Sequence, residues 1–205
     1  MLADLVTEEL QRMLGKSVHD GYQLTQQLKR AHDVFNFPIG EELLPWVRRI
    51  AVDYCAIKNS ASVQGLCVEM PLNKSLNYHH LVLRHGERLV ITLSHLPDGQ
   101  VMPRGAHFRE DLSKINPTQI QLLFPDNPEK DFGNKKIYAI LTHVGKSSPE
   151  VIYLKVKHPD KNAELTKMSI PLYKPHDDSE TNIISDPTPE FLEYLKKASN
   201  SNRKS

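Results

Sequence analysis

Apolar positions in the first sixty residues recur at helical spacing. Leu2, Leu5, Val6, Leu10, Met13 and Leu14 form one stripe, and Leu24, Leu28, Ala31 and Phe35 form a second. Gly15 is placed to stop the first helix and Ser17 to cap the next. Val18 and Tyr22 fall off the second stripe, so the regular part of that helix is expected to begin after Gly21. Phe37-Pro38-Ile39-Gly40 breaks the pattern. A third stripe then runs through Leu43, Leu44, Trp46, Val47, Ile50, Ala51, Tyr54 and Ile57, with Pro45 tolerable only near the start of its helix. This is the most apolar of the three helices and is therefore expected to be the central one, with Trp46 covering its junction with the rest of the chain.

From residue 63 the period falls to two. Val63 to Val68 is β-like, and Tyr78 to Leu96 predicts a hairpin turning at His85-Gly86, which sets Arg84 opposite Glu87 and Val82 opposite Leu89. Further strands are expected at Lys136 to Val144, Val151 to His158 and Leu165 to Leu172. Thr188-Pro189-Glu190 is a helix-start signal for a short helix from Pro189 to Ala198. Helices followed by consecutive strands make an α+β pattern: N-terminal helices packed on a mainly antiparallel β-sheet, with a short C-terminal helix. Residues 1–60 form the helical segment and 61–198 the β region with the last helix. No hinge-like linker separates them, so one fused domain is expected, followed by a disordered tail over 199–205.

Composition narrows the function. Lys and Arg number 26 against 25 Asp and Glu, a net charge of +1, which argues against a uniformly basic nucleic-acid or lipid binder. Protonating all ten histidines would raise that charge to +11. The apolar runs fall short of the ~18 residues of a membrane span, and Asp4, Glu8 and Glu9 stand where a signal peptide would be basic and then apolar. A cytoplasmic protein that does not enter membranes is expected. Cys55 and Cys67 form no C-x-x-C pair, and no phosphate-binding, dinucleotide-binding or serine-hydrolase motif is present. His79, His80 and His85 lack zinc-ligand spacing, and neighbouring strand residues face opposite ways. Neither a metal nor another cofactor is expected. A helix-turn-helix over Glu9 to Arg30 is disfavoured because its second helix would offer Asp20, Gln23, Gln26 and Gln27 before any cation.

Two features suggest chemistry. The first is the set Arg84, His85, Arg104, His107 and Arg109. If Pro103 to Arg109 were extended, His107 and Arg109 would share a face opposite Phe108. A histidine beside arginines suits metal-independent RNA cleavage, with His107 as general acid or base and Arg104 and Arg109 as phosphate ligands. The second is a charge partition. Lys135 to Lys174 sums to +5 and His176 to Glu193 to −6. On the strand Val151 to His158, Tyr153, Lys155 and Lys157 share a face, a pattern that fits a nucleic-acid surface or a lysine-protected edge strand. The acidic segment is expected to mask those basic strands.

The sequence thus favours a macromolecular-interaction protein whose partner, protein or nucleic acid, is bound between about residues 80 and 160 through Arg84, His80, Tyr153, Lys155 and Lys157. The RNase-like site at His107 is the alternative. A purely structural subunit would show instead as an exposed apolar patch on the front helices.

Overall fold

Thr7 accepts a hydrogen bond from the Leu10 amide at 3.2 Å and so caps the first helix, α1 (Glu8–Ala31). Glu8 and Glu9 in its first turn and Lys29 and Arg30 in its last match the helix dipole. The computed structural model describes residues 2–73, 78–118, 136–175, 189–191 and 193. Contrary to the expectation of a break at Gly15, α1 is continuous. A Cβ on Gly15 would lie 2.6 Å from the Pro171 carbonyl oxygen, and one on Gly21 would lie 2.5 Å from Val52 Cγ2. Both glycines allow neighbouring chain to approach closely, and neither ends the helix. Val18 and Tyr22 are buried against the sheet, while Leu24 and Leu28 are buried against the second helix, α2 (Pro38–Asn59). Because α1 is covered on two faces, it is the central helix, and the expectation for α2 is corrected. Pro38 supplies the first residue of α2, where its missing N–H costs nothing, after a 3-10 turn at Asp33–Asn36. Trp46 covers no junction: it is 59% exposed.

Six strands complete the framework: β1 (Leu66–Glu69), β2 (Val82–His85), β3 (Leu89–His95), β4 (Ile137–Val144), β5 (Val151–Lys157) and β6 (Glu164–Ser169). They lie in sequence order in one sheet. Every neighbouring pair is antiparallel except β3 and β4, which run parallel with Leu89 opposite Ile137. A parallel pair needs a crossover, and here residues 96–136 supply it, including a third helix, α3 (His107–Ser113). The α+β assignment holds, with a mixed sheet that is mostly antiparallel. The hairpin register differs from the expected one. His85 faces Leu89 across the turn Gly86-Glu87-Arg88, so Arg84 lies opposite Val90. Its charge partner is Glu69 on β1, at 2.8 Å.

The two sheet faces have different covers. Leu89, Ile91, Leu93, Ile137, Ala139, Leu141, Ile152, Leu154 and Val156 pack with α1. On the other face, Val82, Val90, Tyr138 and Ile140 pack with Met102 and Leu112 from the crossover. β5 sits between β4 and β6, so the edge-strand reading of its lysines does not hold. Lys155 and Lys157 do share a face with Tyr153, but both are buried.

Asn116 ties the crossover to the sheet. It accepts from the Tyr138 amide at 2.7 Å and donates to the Tyr138 and Lys157 carbonyls, each at 2.8 Å. The β4–β5 ladder ends at the Ala139–Val156 pair, so this side chain stands in for its next rung. Asn116→Ala leaves buried backbone groups unpaired and is expected to cost about 2 kcal/mol in urea unfolding. Unchanged stability would show that the pairing is dispensable.

Residues 189–191 and 193 are helical. Phe191 is fully buried among Leu24, Leu28, Ala51, Tyr54 and Cys55, and Glu190 pairs with Lys58 of α2. The remainder of the expected C-terminal helix, the tail 199–205 and the acidic stretch 176–188 lie outside the described residues. Within the acidic segment, Glu190 accepts from Tyr54 and Lys58, both on α2. Among the described residues no helix is long and apolar enough to cross a membrane.

Candidate functional site

Where β3 and β4 end side by side, α2 extends past the sheet and leaves a groove. Ligands in sheets with parallel strands collect at such carboxyl ends. The groove has two compartments that share Pro45, His95 and Pro97. The larger, about 410 Å³, lies between the two long helices and the segments Pro97-Asp98 and Gly145 to Ser147. The smaller, about 270 Å³, lies between Pro45, Trp46 and Arg49 of α2 and the segments that carry Ser94, Gln100, Arg104 and Arg109.

A buried polar network forms one wall. Period 3.6 puts Arg48 on the stripe Leu44, Ala51, Val52 and Cys55, so its guanidinium is carried inward, and Arg48 is buried. Its Nη1 donates to the Gly145 carbonyl at 3.0 Å, and its Nη2 donates to the Lys146 carbonyl. His95 Nε2 lies 3.1 Å from Nη1, from which it can only accept, and 3.3 Å from the Gly145 carbonyl, to which it can only donate, so the tautomer selects one of the two bonds. Tyr22 donates to the same Gly145 carbonyl at 3.2 Å, and Nδ1 of His143 lies 3.1 Å from its hydroxyl. Gly145 has φ +137°, and a Cβ there would lie 2.0 Å from the Ser148 carbonyl oxygen, so the turn that presents this carbonyl requires glycine. Burial pushes the Tyr22 hydroxyl up to about 12 and His143 down to about 3. Burial, with the Arg48 charge beside it, also holds His95 below the ordinary histidine range. His143 therefore stays neutral through the range where histidines ordinarily titrate, which removes it from the charge swing that ten histidines suggest.

A second cluster lies on the adjoining face of α2. The Arg49 guanidinium sits over the rings of Trp46 and Tyr78, at 5.9 and 5.6 Å from their centroids. Arg109 sits over Phe108 at 4.9 Å, and Phe108 stacks on His80 with centroids 4.0 Å apart. Burial raises the Asp53 carboxyl to about 7 against the opposing pull of Arg49 and Arg109. Burial, then the charges of Arg109 and Arg49, hold His80 below its usual value.

Of the residues singled out from sequence, Arg104 and Arg109 line the groove. The others are engaged elsewhere. His107 opens α3, so the extended alternation expected for Pro103 to Arg109 does not form. Its side chain is 83% exposed and lies 3.4 Å from Glu110. His80 is buried against Phe108, and Arg84 pairs with Glu69. Lys155 donates to the Val101 carbonyl at 2.5 Å and pairs with Glu164 at 3.2 Å. Lys157 donates to the His158 and Lys161 carbonyls at 2.8 and 3.1 Å. Tyr153 is flanked by Lys155 and Lys167. Arg48, His95, Trp46 and Arg49 line the groove and buried His143 stands in the network behind it, and sequence reasoning misses all five. Arg48 on an apolar stripe, and His143 in phase with Ile137, Ala139 and Leu141, are the signals that could have found two of them. Among the described residues no cluster of His, Cys, Asp or Glu could hold a metal ion. No family model, curated protein or solved structure matches the chain.

Proposed function

We propose that the chain is a protein-interaction module that receives an amphipathic helix of a partner protein along the N-terminal half of α2. The observation that carries this is an apolar ridge. Ile39, Leu43 and Trp46, spaced as i, i+4 and i+7 on one helical face, are 77%, 49% and 59% exposed, and Val34 and Phe37 beside them are exposed as well. Scattered exposed apolar residues are ordinary, but five within thirteen consecutive positions are not. The ridge has a polar rim in Glu41, Glu42 and Arg49, and tryptophan and arginine are the residues that most often dominate binding energy. This shifts the interaction surface from the hairpin expected from sequence to α2, and the same ridge is the patch expected of a structural subunit of a larger complex. The RNase-like alternative has weaker support, because His107 is exposed, lies beside Glu110 and does not line the groove with Arg104 and Arg109.

The test places a photo-crosslinking residue at position 43, with a control at exposed Lys114. The proposal requires adducts with a defined partner segment from position 43 and not from 114. Leu43→Asp should then weaken that partner tenfold or more while thermal stability changes by less than about 0.5 kcal/mol. Equal yields from both positions would overturn the docking surface. Adducts only with a second copy of the chain would replace the partner with a homodimer.

A further inference from the structure

The smaller compartment carries three guanidinium groups, Arg49, Arg104 and Arg109, and among the described residues no carboxylate lines it. Arg109 is 9% exposed, and its Nε has no hydrogen-bond partner among the described residues. Nη1 donates to the Arg104 carbonyl at 3.1 Å and Nη2 to Ser94 Oγ at 3.4 Å, both neutral acceptors. The charge of Asp53 reaches Arg109 only weakly, behind those of Tyr138, Arg49 and Tyr78. A buried guanidinium held by neutral acceptors alone is costly, and an anion entering the compartment that Arg109 lines would offset that cost. Three arginines converging on one cavity suit a phosphate group, whose oxygens accept paired N–H donors. The exposed Trp46 indole stands at the same compartment, with the Arg49 guanidinium 5.9 Å from its centroid, and offers a planar ring on which a base can stack.

We propose that this compartment binds a nucleoside phosphate, its phosphate held by Arg104, Arg109 and Arg49 and its base laid on Trp46. Gln100 and Ser94 supply hydrogen-bonding groups in the same lining. The site shares Trp46 and Arg49 with the docking ridge, but Ile39 and Leu43 do not line it, so variants at those two positions test the docking reading and leave this one intact. A free nucleotide and the end of a single strand present the same chemistry.

Trp46 is the one tryptophan of the chain, so its fluorescence reports the site directly. Adenosine monophosphate added to the full chain should quench it saturably. Adenosine alone and inorganic phosphate alone should each bind at least tenfold more weakly. Arg104 is exposed, so Arg104→Ala keeps the fold and should weaken the nucleotide about tenfold, equivalent to ~1.4 kcal/mol. Arg109→Lys keeps the charge but loses the planar fork and should weaken it as well. A short oligodeoxyadenylate that binds tighter than the mononucleotide, with a steeper salt dependence, identifies a strand as the source, and equal affinity identifies the free nucleotide. The absence of saturable quenching by both probes at low salt would overturn the proposal. So would Arg104→Ala and Arg49→Ala variants that bind like the unaltered chain.

Discussion

Gly21→Ala is expected to destabilise the chain by about 3 kcal/mol, although an alanine in a helix interior ordinarily stabilises by about 1 kcal/mol over glycine. The sign reverses because of what faces the position. An added Cβ would lie 2.5 Å from Val52 Cγ2, 2.6 Å from Val52 Cα and 2.7 Å from Val52 N. Two of those atoms are backbone, so no side-chain rotation relieves the contact, and α1 and α2 must separate along their length. That separation disturbs two layers at once, since Val52 packs in the core with Val18 and Tyr22 while neighbouring Ala51 packs with Leu24, Leu28 and Phe191. Urea unfolding followed by circular dichroism measures the loss. An alanine variant as stable as the parent would show that the helices do not approach so closely.

The same glycine shows why the helices are only partly legible in the sequence. The stripes at Leu10, Met13 and Leu14 and at Leu24 and Leu28 do lie on a helix. Gly15 and Gly21 carry no local sign that distinguishes a helix stop from a close packing contact, because the deciding atoms, Pro171 and Val52, are distant in sequence. Reading one stripe at a time also hides that α1 is covered on two sides, so Val18 and Tyr22 look out of phase when they belong to its sheet-facing side.

Period two finds the strands but not their partners. Nothing local in Leu89 to His95 states that its neighbour is Ile137 to Val144 in parallel, since that pairing depends on a long crossover. The correct phase of Tyr153, Lys155 and Lys157 still implies the wrong environment, because the crossover buries a face that alternation alone marks as polar. The candidate groove is the least legible part. Arg104 and Arg109 are visible as a local cluster, but Arg48, Arg49 and His95 reach the same groove from elements whose meeting is set by tertiary packing.

Asp53 gives the last large effect, and it runs with pH. Burial raises its carboxyl from 3.8 to about 7 in the folded chain, with Arg49 of its own helix and Arg109 of α3 pulling the other way. The folded state therefore holds a proton that the unfolded chain has released across the window between these values. Stability from this group is fully present below pH 3.8, declines as pH rises toward 7, and is lost above it. Asp53→Asn, neutral at every pH, should match the parent near pH 4 and exceed it at pH 8, by at most about 4 kcal/mol, since each tenfold change in proton affinity is worth ~1.4 kcal/mol. Comparing the two chains by urea unfolding between pH 4 and 9 cancels the other titrating groups, His80 among them. A stability difference that stays flat across that range would mean that the carboxyl titrates normally. A gap that opens between pH 4 and 7 would show that Asp53 is no full counter-ion to Arg49 and Arg109 at neutral pH, leaving their positive charge available to the groove.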